Sequence, residues 1–182
     1  MNAWKHFCTI TKHRWEVRKG CFAVGLYWQG LTHDLSKYSP VEFIRGAKYY
    51  QGTRSPNSKE REVIGYSAAW MHHKGRNKHH FEYWVDLNVQ TKQYAPVQMP
   101  PKYFVEMCMD RIAACKIYHR KNYRQGDALE YFLQAIEIRD VAMMHPETKK
   151  QLIFILTMLR DKGEKETFRF IREVVLKGKP FV

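Results

Sequence analysis

The stretch from Pro101 to about Asn122 does most to limit what this chain can fold into. Phe104, Met107, Cys108, Ile112 (or Arg111), Cys115 and Tyr118 recur at helical spacing and form one apolar stripe. Asp110 lies mid-helix beside that stripe. A carboxylate on the buried side of a helix is costly unless it is paired or coordinated. The helix therefore needs neighbours to cover its stripe and a partner for Asp110. A salt bridge to Arg111, Arg14 or Lys116 would serve, and so would a metal ion.

The neighbours are also helical in pattern. A first helix is predicted from about Ala3 to Lys19, on the helical spacing of Trp4, Phe7, Cys8, Thr11, Trp15 and Arg18 and stopped by Gly20, and a second over Cys21 to Gln29, ending at Gly30. Ser39-Pro40-Val41-Glu42 reads as a helix start, with Ser39 as cap and Glu42 closing a capping box. That third helix runs to about Tyr50. A fourth follows Ser58 and reaches about Lys74. Asp86 to Pro101 is irregular and rich in proline, long enough for a lid or a short hairpin. Asp127 opens a helix to about Met144, Pro146 one to Leu159, and Glu164 one to Leu176. No segment alternates like a strand. The expected fold is all-α, a single domain over 1–182 with seven or eight helices.

A second feature bears on chemistry. His33-Asp34-Leu35-Ser36-Lys37 follows the second helix. Adjacent side chains point apart in any regular element, so His33 and Asp34 can face one ion only where the backbone bends. Imidazole and carboxylate together suit Zn, Fe, Mn or Ni. Other candidate ligands are His13, Asp110 and the segment from His72 to His80, which holds four of the nine histidines. Each has an ordinary explanation alone: a helix cap, a hydrogen-bonded core histidine, a salt bridge, a basic turn. They fall on at least four separate elements, which is how helical folds assemble metal sites.

The formal net charge of +13 favours anionic partners: nucleotides, phosphorylated metabolites or nucleic acid. Basic residues are spread along the chain, so the charge does not by itself establish nucleic-acid binding. Hydrophobic residues make up 45% of the chain, enough for a packed core, yet no apolar run is long enough to span a bilayer. The N-terminal residues lack a signal-peptide pattern, and the four cysteines show no paired-ligand spacing. The expectation is a cytoplasmic protein with reduced thiols and no membrane association. Oligomeric state is open.

The order His13, His33-Asp34, Asp110 resembles the HD superfamily of metal-dependent phosphohydrolases, which is all-α. Asp110-Arg111-Ile112-Ala113 is similar to the last-motif helix of many of its members. The run His33 to Pro40 is similar to a segment of the HD-GYP phosphodiesterases, although their Gly-Tyr-Pro signature is absent here. A closer resemblance is to an uncharacterised bacterial family known only as a domain of unknown function. Its His-Asp-x-Ser-Lys run followed by Glu-Phe is matched by His33 to Lys37 and Glu42-Phe43. Its Ala-Trp … His … Asn-x-His-His … Trp segment is matched by Ala69-Trp70, His73, Asn77, His79-His80 and Trp84. The match spans roughly Met1 to Asp140.

The resemblance implies an HD-like domain with its metal-site core within about 1–140 and C-terminal helices at about 145–177. It implies one ion held by His13, His33, Asp34 and Asp110, with Asp34 bridging to a second held by His73 and one of His79 or His80. Lys37 would stabilise phosphate charge beside Asp34. Arg76, Asn77 and Lys78 would be the substrate-side loop: Arg76 and Lys78 would gather substrate phosphates or merely solubilise the loop, and Asn77 would orient a neighbouring histidine, a turn-forming role explaining it equally well. The function implied first is hydrolysis of a nucleotide or other phosphate ester. The alternatives are a di-iron oxygenase on the same fold, and a non-catalytic, metal-stabilised module that binds nucleic acid or protein.

Overall fold

The computed structural model describes residues 2–138 and 143–182. The described residues hold eight α-helices, four short 3-10 turns and one small hairpin, so the fold is mostly helical, as the spacing predicts. The first helix, α1 (Ala3–Ala23), buries His6, Ile10, His13, Val17 and Cys21 along one stripe. Gly20 does not end it. A Cβ there would lie 2.8 Å from the Met109 sulfur, so the bare glycine lets α1 approach the helix carrying Met109 closely. The chain turns instead at Gly25, whose φ of 86° suits glycine, and α2 is the short helix Tyr27–Thr32.

A 3-10 turn over Leu35–Tyr38 leads to α3 (Pro40–Lys48). The predicted cap at Ser39 makes no side-chain bond to that helix, and Glu42 turns inward instead of closing a capping box. The predicted fourth helix is two. Ser55 caps α4 (Pro56–Ile64), Gly65 at φ 83° stops it, and Ser67 caps α5 (Ala68–Lys74). Buried Glu60 joins the two. It accepts from the Ser67 hydroxyl at 2.6 Å and pairs with Arg45 at 3.0 Å, fixing α5 against α3 and α4.

The irregular stretch contains the short hairpin, β1 (Val85–Leu87) antiparallel to β2 (Tyr94–Pro96), with Asp86 opposite Ala95. Then α6 (Pro101–His119) runs through the middle, in contact with α1, α7 and α8. It is buried nearly all round, which explains why its apolar residues spread beyond one stripe. α7 spans Asp127–Ile138; the rest of the helix predicted to Met144 falls partly outside the described residues. α8 (Pro146–Glu173) breaks at Gly163, whose φ of 79° and ψ of 173° are not helical. That break is where two helices were expected to meet.

Phe104, Met107, Ile112, Phe132, Leu152, Ile155, Leu156, Leu159 and Ile171 form the core, with Cys21 and Cys108 among them as buried free thiols. Among the described residues, no helix is long and apolar enough to cross a membrane. The arrangement leaves the α1 face of α6, carrying Glu106 and Asp110, opposite His13 and the turn after α2.

Candidate metal centre

The polypeptide bends at His33-Asp34. α2 ends at Thr32, His33 is extended, and Asp34 takes a left-handed conformation with φ 53°. Few residues other than glycine adopt that region, aspartate among the commonest. The bend turns both side chains to one point: the His33 Nε2 lies 3.3 Å from Asp34 Oδ2. Arg14 holds the turn by donating to the carbonyls of His33 at 2.7 Å and Leu31 at 3.1 Å.

Around Asp34 the fold gathers two sets of ligand atoms. His13, His33, Asp34 and Asp110 form one; Asp34, His73, His79 and His80 form the other. Within each set the ligand atoms all lie within 4.8 Å of one another. The two oxygens of Asp34 divide between the sets. Oδ2 faces His33 Nε2 at 3.3 Å and His13 Nε2 at 3.7 Å. Oδ1 faces His73 Nε2 at 3.2 Å and His79 Nε2 at 3.3 Å. Asp110 closes the first set, 2.9 Å from His13 Nε2 and 3.6 Å from His33 Nε2. Its partner is therefore neither Arg14, which holds carbonyls, nor Lys116, which pairs with Glu164 at 2.5 Å. The guanidinium of Arg111 lies over Phe132.

These groups meet the donor requirements of a transition-metal site. The Nε2 atoms of His33, His79 and His80 and Oδ1 of Asp34 are buried without a hydrogen bond, whereas Asp34 Oδ2 has the Lys37 ammonium and His13 Nε2 has Asp110 beside it. Buried polar atoms are rarely left so, and here they converge. With neutral histidines, Asp34, Asp110, Glu106 and Glu42 against Lys37 would leave this buried region strongly negative, which calls for cations. Burial disfavours charge on His33 and His73, but facing carboxylates outweigh it and raise both imidazoles above their ordinary range. Burial likewise opposes the charges on Asp34 and Asp110, yet the surrounding histidines, with Lys37 for Asp34, hold both carboxyls well below theirs. In His13 and His80 burial prevails, and their basicity falls.

Two carboxylates outside the sets orient the rings. Glu106 Oε1 accepts from Nδ1 of His33 at 2.9 Å and of His79 at 3.1 Å. Glu42 accepts from Nδ1 of His73 and of His72, both at 2.7 Å. Each contact turns Nε2 of His33, His73 or His79 toward Asp34, the carboxylate–histidine arrangement common at metal sites. His72 is outside both ligand sets. Sequence reading missed Glu106 as a site residue and gave Glu42 a capping role. The available signal was spacing: Glu106 lies one helical turn before Asp110, on the same face of α6.

The remaining candidates separate. Lys37 Nζ lies 2.6 Å from Asp34 Oδ2, and this ion pair raises its pKa against the opposing effect of burial. The Asn77 amide donates to Ser36 Oγ at 2.9 Å and to the His73 carbonyl at 2.8 Å. It therefore braces the loop between the two ligand segments. Arg76 and Lys78 are exposed, with Arg76 donating to the His72 carbonyl and Lys78 over the rings of Tyr83 and Tyr103. His33, Asp34, His73 and His79 are fully enclosed, whereas Lys37 and Asp110 keep 28% and 18% side-chain exposure. The partly exposed members are thus Lys37 and Asp110 at the first set and half-buried His80 at the second.

Residues 2–158 match a family of unknown function, DUF5662, and the chain belongs to that family. No curated protein and no solved structure matches it.

Proposed function

We propose that this DUF5662 chain is a metal-dependent phosphohydrolase acting on a nucleotide or another phosphate ester. The observation that carries the reading is the division of Asp34 between two converging ligand sets, with a lysine ammonium at their partly exposed edge. The resemblance of the ordered set His13, His33-Asp34, Asp110 to HD phosphohydrolases supports the same reading.

His13, His33, Asp34 and Asp110 would hold one divalent ion, and Asp34, His73, His79 and His80 a second. When bound, such a pair supplies Lewis-acid chemistry, acidifying water near neutral pH and drawing charge from phosphoryl oxygens. The residues around it handle charge and orientation. Lys37 exchanges its contact with Asp34 for a non-bridging phosphate oxygen and stabilises the charge that builds there. Arg76 and Lys78, on the loop bearing His79, raise the local concentration of an anionic substrate. Glu42 and Glu106 keep the imidazoles aimed inward. Fully buried His33, Asp34, His73 and His79 keep water from the middle of the cluster, while Lys37 and Asp110 offer a partly exposed edge to substrate.

The test is phosphate release from p-nitrophenyl phosphate, bis-p-nitrophenyl phosphate and a nucleotide panel, by protein loaded separately with Mn, Fe, Zn or Ni. Turnover that Lys37→Ala lowers by about 100-fold or more would support the proposal. Metal uptake with no hydrolysis of any ester would refute it.

A second reading has its own observation. The second ligand set offers three imidazoles and one shared carboxylate, a nitrogen-rich environment that suits iron. A di-iron oxygenase would consume dioxygen in the presence of its substrate when loaded with iron, and would be inactive with Zn.

A further inference from the structure

Glu106 stands apart from the other carboxylates of the cluster because one of its oxygens serves both ligand sets. Oε1 is 2.9 Å from Nδ1 of His33, which belongs to the first set, and 3.1 Å from Nδ1 of His79, which belongs to the second. The two rings lie side by side, with centroids 4.4 Å apart. On their far sides, both Nε2 atoms face the Asp34 carboxylate at 3.3 Å, one toward each oxygen. Asp34, His33, Glu106 and His79 thus close a ring of contacts. Glu106 and the two histidines are all buried.

From this we propose that Glu106 is a positioning residue that ties the two ion positions together, so that its loss weakens both. The proposal rests on the metal reading of the site. A carboxylate can only accept, so both imidazoles must carry a proton on Nδ1, which leaves Nε2 of each to offer its lone pair inward. One oxygen therefore fixes the tautomer and the ring angle of a ligand in each set. The three atoms could in principle surround an ion themselves, since they also lie within 4.8 Å of one another. That arrangement would point Nε2–H of both rings at Asp34 and take one ligand from each of the two larger sets, whereas the positioning role leaves each Nε2 to its own set.

Glu42 supplies the contrast. It accepts from His73, which belongs to the second set only, and from His72, which belongs to neither. Its loss weakens one position.

The experiment is calorimetric titration of the metal-stripped full-length chain with Mn or Zn, for wild type, Glu106→Gln and Glu42→Gln. Both variants are near-isosteric, and circular dichroism and melting checks that each is folded. Two ions are expected to bind wild type. Glu106→Gln should retain both positions with each weakened about 10- to 100-fold, and Glu42→Gln should weaken one alone. A second readout needs no variant. In the Zn-loaded wild type, 15N-edited spectra of the imidazoles should show His33 and His79 protonated on Nδ1. Unchanged affinity in Glu106→Gln, weakening of one position only, loss of one ion outright, or protons on Nε2 would each overturn the proposal while leaving the metal site standing. A wild-type chain that takes up no ion would end both together.

Discussion

Asp34 and His6 show how single side chains are constrained here in opposite ways. Asp34 is wholly buried and surrounded by groups that favour its charge. His6 is buried two turns before His13 on the same stripe of α1, and its environment disfavours charge. Burial, with Lys37 nearby, lowers its pKa to about 4. Its ring packs on Phe43 and Tyr50, and its Nε2 lies 2.3 Å from where a Cβ on Gly46 would stand. Gly46→Ala must therefore push the imidazole out of place, and a cost of about 1–3 kcal/mol is expected in urea unfolding. The unfolded chain protonates His6 near pH 6.5 while the native state does not until about 4. The unfolded state thus binds more protons in between, and stability falls as pH drops from 6.5 toward 4. After allowance for solvent screening the effect is on the order of 1–2 kcal/mol. The melting temperature of metal-free protein should decline over that range, less steeply in His6→Gln.

Elements explain why some of this was legible in the sequence and some was not. Helical spacing in α6 picked out buried residues, whereas in α1 the spaced residues Trp4, Phe7, Thr11 and Trp15 lie on the exposed side and the buried stripe is that of His6, Ile10, His13, Val17 and Cys21; the bend needed to join His33 to Asp34 is present as the left-handed Asp34. His13, the adjacent His33-Asp34 and Asp110 stood out as donor types on three separate elements. Glu42 and Glu106 were not, because their roles depend on which histidines lie across from them. Gly20 looked like a stop because glycine often is one; its actual use, close approach to Met109, is a property of the α1–α6 pair. Gly65 as a break between α4 and α5 is also clear only once Glu60 is seen joining them. Glu60→Gln should loosen the start of α5, costing about 1–3 kcal/mol and weakening metal binding through His73 on the same helix. Thermal melts and metal titration of that variant check both expectations.

At the scale of the molecule, α6 divides two functions. One face joins the core made with α7 and α8, and the face toward α1 carries Glu106 and Asp110 into the cluster. The ligands come from α1, the turn after α2, α5, the loop after α5, and α6, so an ion would link elements distant in sequence. Binding to the folded state alone stabilises it, by about 2.7 kcal/mol at a free ion concentration of 100 times Kd. His33 and His73, whose proton affinity is raised in the metal-free state, must release protons when ions bind. Apparent affinity should accordingly increase with pH, which titrations at pH 6, 7 and 8 would measure.

The most direct measurement is elemental analysis of the purified chain beside Asp34→Ala, each incubated with Mn, Fe, Zn and Ni and then freed of loose ions. Asp34 supplies an oxygen to both ligand sets, so wild type should retain about two transition-metal ions per chain and Asp34→Ala should lose both. A wild-type chain that stays empty with every metal, or an Asp34→Ala chain that keeps its ions, would contradict the account.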